Sequence, residues 1–102
     1  MDPLDDLTKW FVAHCDGEWE HTYGVKIESC DNPGWWVKID LVGTELEARP
    51  FESVVWGDVV GNTDPQPPWL HCYTEDGVWN GAGDPSTLSE ILATFLKWAK
   101  GV

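Results

Sequence analysis

Apolar positions recur at two spacings along the chain, and the changes between them mark the elements. Leu4, Leu7, Trp10, Phe11 and His14 follow one another at intervals of three and four, one stripe of a helix. Asp2 is placed to cap that helix, and Pro3 to take its first position, where a missing N–H costs nothing. Asp16-Gly17 is expected to end it, with the glycine in a left-handed cap. The spacing then drops to two. Trp19, His21, Tyr23, Val25 and Ile27 alternate with Glu20, Thr22, Lys26 and Glu28, which predicts one long strand. Asp31-Asn32-Pro33-Gly34 reads as a turn, and Trp35 to Leu41 alternates again, so the two runs are expected to pair as an antiparallel hairpin with one apolar face.

Beyond the hairpin the pattern weakens. Gly43-Thr44-Glu45-Leu46 reads as a turn, Phe51 to Trp56 as a third strand, and Gly57 to Pro68 as a loop. Trp69 to Thr74 and Val78 to Ala82 are expected to be strands four and five, the latter weakened by Gly81. Asp84-Pro85-Ser86-Thr87 opens a second helix, in which Thr87 and Glu90 have capping-box spacing. Leu88, Ile91, Leu92, Phe95 and Ala99 form its apolar stripe. The predicted fold is α+β: an antiparallel meander sheet of about five strands, with the N-terminal and C-terminal helices packed on one face as a two-layer sandwich. No repeat or linker divides residues 1–102, so one domain is expected.

Charge narrows what such a domain can do. The 102 residues hold 6 Lys+Arg and 18 Asp+Glu, a formal net charge of −12. The excess is even, since residues 1–51 carry four bases against eleven acids and residues 52–102 two against seven. Nucleic-acid binding needs clustered Lys and Arg to replace counterions, so it is excluded, and anionic membrane surfaces are disfavoured for the same reason. No apolar run reaches spanning length, and Met1 to Asp6 is acidic where a signal peptide is basic, so a cytoplasmic location is expected. An anionic body attracts a basic partner over long range.

Candidate chemistry is sparse. Three cysteines, Cys15, Cys30 and Cys72, are odd in number and widely spaced, which fits reduced thiols rather than a disulfide scaffold. Their acidic surroundings disfavour a nucleophilic thiolate. His71 and Cys72 are neighbours on a predicted strand and so point to opposite faces. No C-x-x-C or H-x-x-x-H spacing, nucleophile elbow or phosphate loop occurs. Neither a metal, a cofactor nor an enzymatic reaction is therefore expected.

Asp16-Gly17-Glu18-Trp19-Glu20-His21-Thr22-Tyr23-Gly24, Asp31-Asn32-Pro33-Gly34-Trp35 and Lys38-Ile39-Asp40-Leu41 with Gly43-Thr44 resemble the immunity protein 53 family of bacterial polymorphic toxin systems. Gly83-Asp84-Pro85, Leu88, Glu90-Ile91-Leu92 and Phe95-Leu96-Lys97-Trp98 are similar too. The likeness is strong over residues 10–44 and 83–98 and weaker over 45–82, where Asp64-Pro65-Gln66-Pro67-Pro68 reads as an insertion. The resemblance implies a cytoplasmic protein encoded beside a toxin, which it binds and neutralises; it transfers no enzymatic reaction.

Two sets of residues are candidates for contacting a basic toxin domain. Asp16, Glu18 and Glu20 form a carboxylate cluster able to pair with Arg or Lys, or else a solvated corner with a cap. Glu28, Trp36 and Asp40 share the polar face of the predicted hairpin, where a large aromatic among charges is a binding anchor unless a neighbouring element covers it or it stacks on Lys38. Trp56 and Trp69 flank the long loop and join the candidates, whereas Trp10, Trp19, Trp35 and Trp98 are assigned to packing. The leading expectation is a stoichiometric inhibitor that occludes the toxin's active site or substrate surface. A small-molecule or peptide-binding domain with an aromatic-lined groove is the alternative from another class, and an enzyme of unknown reaction the third.

Overall fold

The computed structural model describes residues 2–31, 33–57 and 67–101. The first helix, α1 (Pro3–His14), begins as its sequence predicts, with the Asp2 carboxylate accepting from the Leu4 N–H at 3.0 Å. The predicted long strand from Trp19 is corrected. Trp19–Thr22 forms a helical turn, α2, and extended structure starts only at Val25, in β1 (Val25–Cys30). Local side-chain bonds override the alternating pattern here. Asp16 Oδ1 accepts from the N–H groups of Glu18 and Trp19, and the Glu20 carboxylate reaches back to those of Asp16 and Gly17. Gly17, at φ 93°, permits the reversal between them. The turn drives Trp19 into the interior, where its indole N–H donates to the Val42 carbonyl at 2.8 Å, and leaves His21 exposed rather than in the core.

The hairpin forms as expected. β1 pairs with β2 (Gly34–Asp40) in antiparallel register, Ile27 opposite Val37 and Glu28 opposite Trp36. The third strand is shorter than predicted, β3 (Val54–Trp56), and is followed by β4 (Leu70–Glu75) and β5 (Val78–Gly83). The predicted Gly57–Pro68 loop falls outside the described residues between 58 and 66. All five strands are antiparallel, in the order β1-β2-β5-β4-β3. The chain therefore leaves β2, crosses to the far edge, and returns as a three-strand meander whose final strand lies beside β2.

The second long helix, α3 (Leu88–Ala99), lies over β4 and β5, and α1 packs against α3. Val37, Ile39, Leu70, Cys72, Trp79, Ile91 and Phe95 are buried between the sheet and this helical layer. Gly81 does not weaken β5 so much as admit α3: a Cβ there would sit 2.5 Å from Ile91 Cγ2 and 2.8 Å from the Trp79 ring. The predicted capping box is not formed. Thr87 turns its hydroxyl to the Asp84 carbonyl, 2.8 Å, instead of to its own helix. Asp84 organises that corner, accepting from the Trp69 N–H at 2.9 Å and from the Ser86 N–H and hydroxyl. Tryptophans tie distant segments to the sandwich as well: Trp35 donates to the Pro85 carbonyl and Trp98 to that of Pro50.

Candidate functional site

An antiparallel sheet turns alternate residues to opposite faces, so the registers sort every side chain. Val37, Ile39, Gly81, Leu70 and Cys72 face the helices. The other face carries Lys26 and Glu28 from β1, Trp36, Lys38 and Asp40 from β2, and, across from them, Asn80 on β5, His71 and Tyr73 on β4 and Val55 on β3. Neither α1 nor α3 packs on this second face.

Trp36 stands near the middle of its β1–β2–β5 half, between Glu28 and Ala82, and is 39% exposed. Lys38 Nζ lies 4.3 Å from its ring centroid, and its indole N–H donates to Asn80 Oδ1 at 3.4 Å. Stacking on Lys38 and exposure thus coexist: the ring is held in one orientation while one side stays open to solvent. Asn80 is itself buried and donates to the Val78 carbonyl. His71 and Tyr73 stack on one another with centroids 4.8 Å apart, and Val55 is 44% exposed. The result is a broad, shallow surface with aromatic and aliphatic centres and a few charges. Two lysines (Lys26, Lys38) face three carboxylates (Glu28, Asp40, Glu75), so the face is close to neutral although the chain is strongly acidic.

The sequence candidates divide among several places. Glu28, Trp36 and Asp40 do share this face. Asp40 also accepts from the Gly24 N–H at 2.9 Å, which fixes the entry into β1. Asp16 and Glu18 lie apart, at the corner between α1 and α2, whereas Glu20 of that corner lines an open pocket with His21, Tyr23, Lys26 and Asp40 at the border of this face. The Trp19 and Glu18 N–H groups hold the Asp16 carboxyl below its ordinary range, and backbone N–H groups, its own first, do the same for Glu20. Both carboxylates are thereby fixed as anions that shape the corner, while Glu18 is solvent-exposed. Trp56 is 39% exposed but sits on the helix side of edge strand β3. Trp69 is 5% exposed, so it is removed from the docking candidates and joins the core. Its predicted strand position is also shifted, because β4 starts one residue later.

Sequence reasoning missed His71, Tyr73, Asn80 and Val55 as members of the open face. The alternation of Leu70 and Cys72 with His71 and Tyr73 carried the signal for two of them. Asn80 and Val55 depended on the strand order, which the sequence does not display.

The cysteines lack the environment of nucleophiles. Burial pushes the Cys72 thiol up to about 12. Burial also raises Cys15 and Cys30, aided by the carboxylates of Glu20 and Asp16 around the first and of Asp31 and Glu28 around the second. Among the described residues no three His, Cys, Asp or Glu side chains come together as a metal-ligand group. An open groove of about 490 Å³ between β3 and α3 is lined by Phe51, Val54 and Trp98 with Glu52, Thr94 and Lys97. No helix among the described residues is long and apolar enough to cross a membrane.

The family model described as immunity protein 53 matches residues 4–100, nearly the whole chain. No curated protein and no solved structure gives a match.

Proposed function

Because the chain belongs to the immunity protein 53 family, we propose that it neutralises a cognate toxin domain by stoichiometric occlusion, docking through the sheet face opposite α1 and α3 with Trp36 as the anchor. The observation that carries this reading is the fixed, half-open indole of Trp36. A large aromatic held in place by Lys38 and Asn80 loses little rotamer freedom on docking, which is what distinguishes an anchor from an incidental exposed ring.

Charge has a separate role. The strand registers place Glu28, Asp40 and Glu75 on the docking face, while eight other carboxylates lie in α1, the 16–20 corner and the 45–52 segment. The latter speed the approach of a basic toxin domain without having to be desolvated in the final contact. If the toxin is a nuclease, its phosphate-binding surface is the basic region that such a body covers.

The test is titration of the purified chain into the toxin encoded beside it. Toxin activity should fall linearly and reach zero at one equivalent, with a complex recovered by co-purification. Loss of toxin activity at a small fraction of an equivalent, or no complex at low salt, would defeat occlusion. Trp36→Ala should weaken the complex by roughly tenfold or more while leaving the fold intact.

A further inference from the structure

Among the described residues the sheet has two edges, β1 and β3. β3 is only three residues long, a common way of blunting an edge, but β1 has six. The phase of the ladder fixes which backbone groups β1 leaves unused. Asp40 donates its N–H to the Gly24 carbonyl at 3.0 Å, in the same register that sets Val25 opposite Ile39. Narrow, doubly bonded pairs alternate with wide ones in antiparallel strands, so Gly24, Lys26, Glu28 and Cys30 direct their backbone groups at β2. Val25, Ile27 and Ser29 direct theirs outward. The other side of β2 agrees: Leu41 donates to the Gly77 carbonyl, which commits the odd residues of β2 to β5 and leaves the even ones for β1.

The side chains on this edge match its backbone. Val25 lines an apolar groove with Leu7, Thr8 and Phe11, whereas Ile27, two residues on, is 38% exposed. Lys26 and Glu28 are exposed on the opposite face, and neither is ion-paired among the described residues.

We propose that β1 pairs edge to edge with β1 of a second copy of this chain, antiparallel and two-fold about Ile27. In that register Ile27 meets Ile27 of the second copy, and Val25 meets Ser29 in both directions, so all three outward-facing residues exchange backbone bonds. Lys26 then stands directly across from Glu28 of the second copy, twice by symmetry. Sliding by two residues either way keeps the bonding phase but sets Lys26 against Lys26 or Glu28 against Glu28, and it loses an outward pair. Charge therefore selects one register. The two sheets join into one, with both Trp36 faces on the same side. The net charge of each copy opposes the association, so added salt should strengthen it until the Lys26–Glu28 pairs are themselves screened.

Sedimentation equilibrium of the isolated chain, over a range of concentration and at low and physiological salt, tests the proposal. A concentration-dependent dimer, tighter at physiological salt, is expected. K26E and E28K each set like charges opposite one another and should raise the dimer dissociation constant roughly tenfold or more, while the double exchange K26E/E28K should restore it. Ile27→Pro removes an outward N–H without touching the β2 ladder and should give a monomer with an unchanged circular dichroism spectrum. A wild-type chain that is monomeric at every concentration overturns the proposal, as does a dimer indifferent to the single charge reversals. A monomer whose Ile27→Pro variant loses the toxin would mean that the edge receives a toxin strand instead, and self-pairing would be wrong.

Discussion

His14 Nε2 lies 2.7 Å from the Glu45 carboxylate, while Nδ1 lies 2.8 Å from the carbonyl of Trp10. Both ring nitrogens thus face acceptors, and only the imidazolium can donate to both. Burial pulls the His14 pKa down, but the bonds to Glu45 and Trp10 outweigh it and the net shift is upward. The same bond is the main reason Glu45 is lowered. The contact ties the end of α1 to the 43–49 turns. Its contribution from His14 is complete below the ordinary histidine pKa of about 6.5 and is lost as pH rises through the raised folded value. That from Glu45 is present above the ordinary carboxylate value and fades as pH falls through the lowered one. Urea midpoints of the wild type should therefore decline relative to His14→Gln as pH goes from about 6 to about 9. Parallel pH profiles for the two proteins would show that the pair contributes nothing.

Asp84 is a buried anion with no ion-pair partner among the described residues. Burial alone would raise its pKa; the Ser86 hydroxyl, the Trp69 N–H and the Ser86 N–H reverse this and hold it below the ordinary value. Asp84→Ala leaves the Trp69 N–H without its acceptor and frees the entry to α3, so a loss on the order of 2 kcal/mol is expected in chemical denaturation. The stabilisation from the carboxylate should also fade as pH falls through that lowered value. An alanine variant as stable as wild type would show that Asp84 does not hold this corner.

At Gly81 the expected effect comes from space alone. Gly81→Ala pushes a methyl group into Ile91 and the Trp79 ring, and overpacking of this kind costs about 1–3 kcal/mol. Ile91→Ala removes the Cγ2 methyl that clashes, so the double variant should be more stable than the sum of the two single changes implies. Strict additivity in thermal unfolding would argue against the contact.

Trp36 and Trp69 should separate cleanly. Trp69→Ala empties a core site and should cost roughly 3–5 kcal/mol of stability. Trp36→Ala should change stability little and toxin affinity strongly. If the two variants lose toxin binding in proportion to their loss of stability, the open face is not the contact.

Electrostatic approach carries its own signature. The association rate with a basic toxin domain should fall steeply between low and physiological ionic strength, with a much smaller change in the dissociation rate. Stopped-flow rates insensitive to salt would remove the steering role of the acidic flanks.

The residues that made the fold legible were those whose local and global preferences agree. Asp2 and Pro3 start α1, Pro33-Gly34 closes the hairpin, and the stripe from Leu88 to Ala99 defines α3; each signal lies within a few neighbours. Trp19 to Tyr23 misled because period-two alternation was the weaker signal there. The bonds from Asp16 and Glu20 to nearby N–H groups settle that segment, and they leave no trace in hydrophobic spacing. Thr87 misled for a related reason, since its hydroxyl answers to the Asp84 carbonyl rather than to its own helix. The site was half legible: Glu28, Trp36 and Asp40 share a face by simple alternation. Their neighbours His71, Tyr73 and Asn80 reach that face only because β5 inserts beside β2, a pairing of residues 38 to 48 positions apart.

That insertion has a consequence for how the protein is made. On a growing polypeptide α1 and the β1–β2 hairpin emerge before β5 and α3, and until those follow, Val37 and Ile39 lack the Trp79, Ile91 and Phe95 side chains with which they form the core. Assembly of the full core must therefore wait until α3 has been synthesised, and until then the nascent hairpin exposes an unfinished apolar surface. On the function proposed above, the speed with which the later half of this chain is translated sets how soon a folded inhibitor exists.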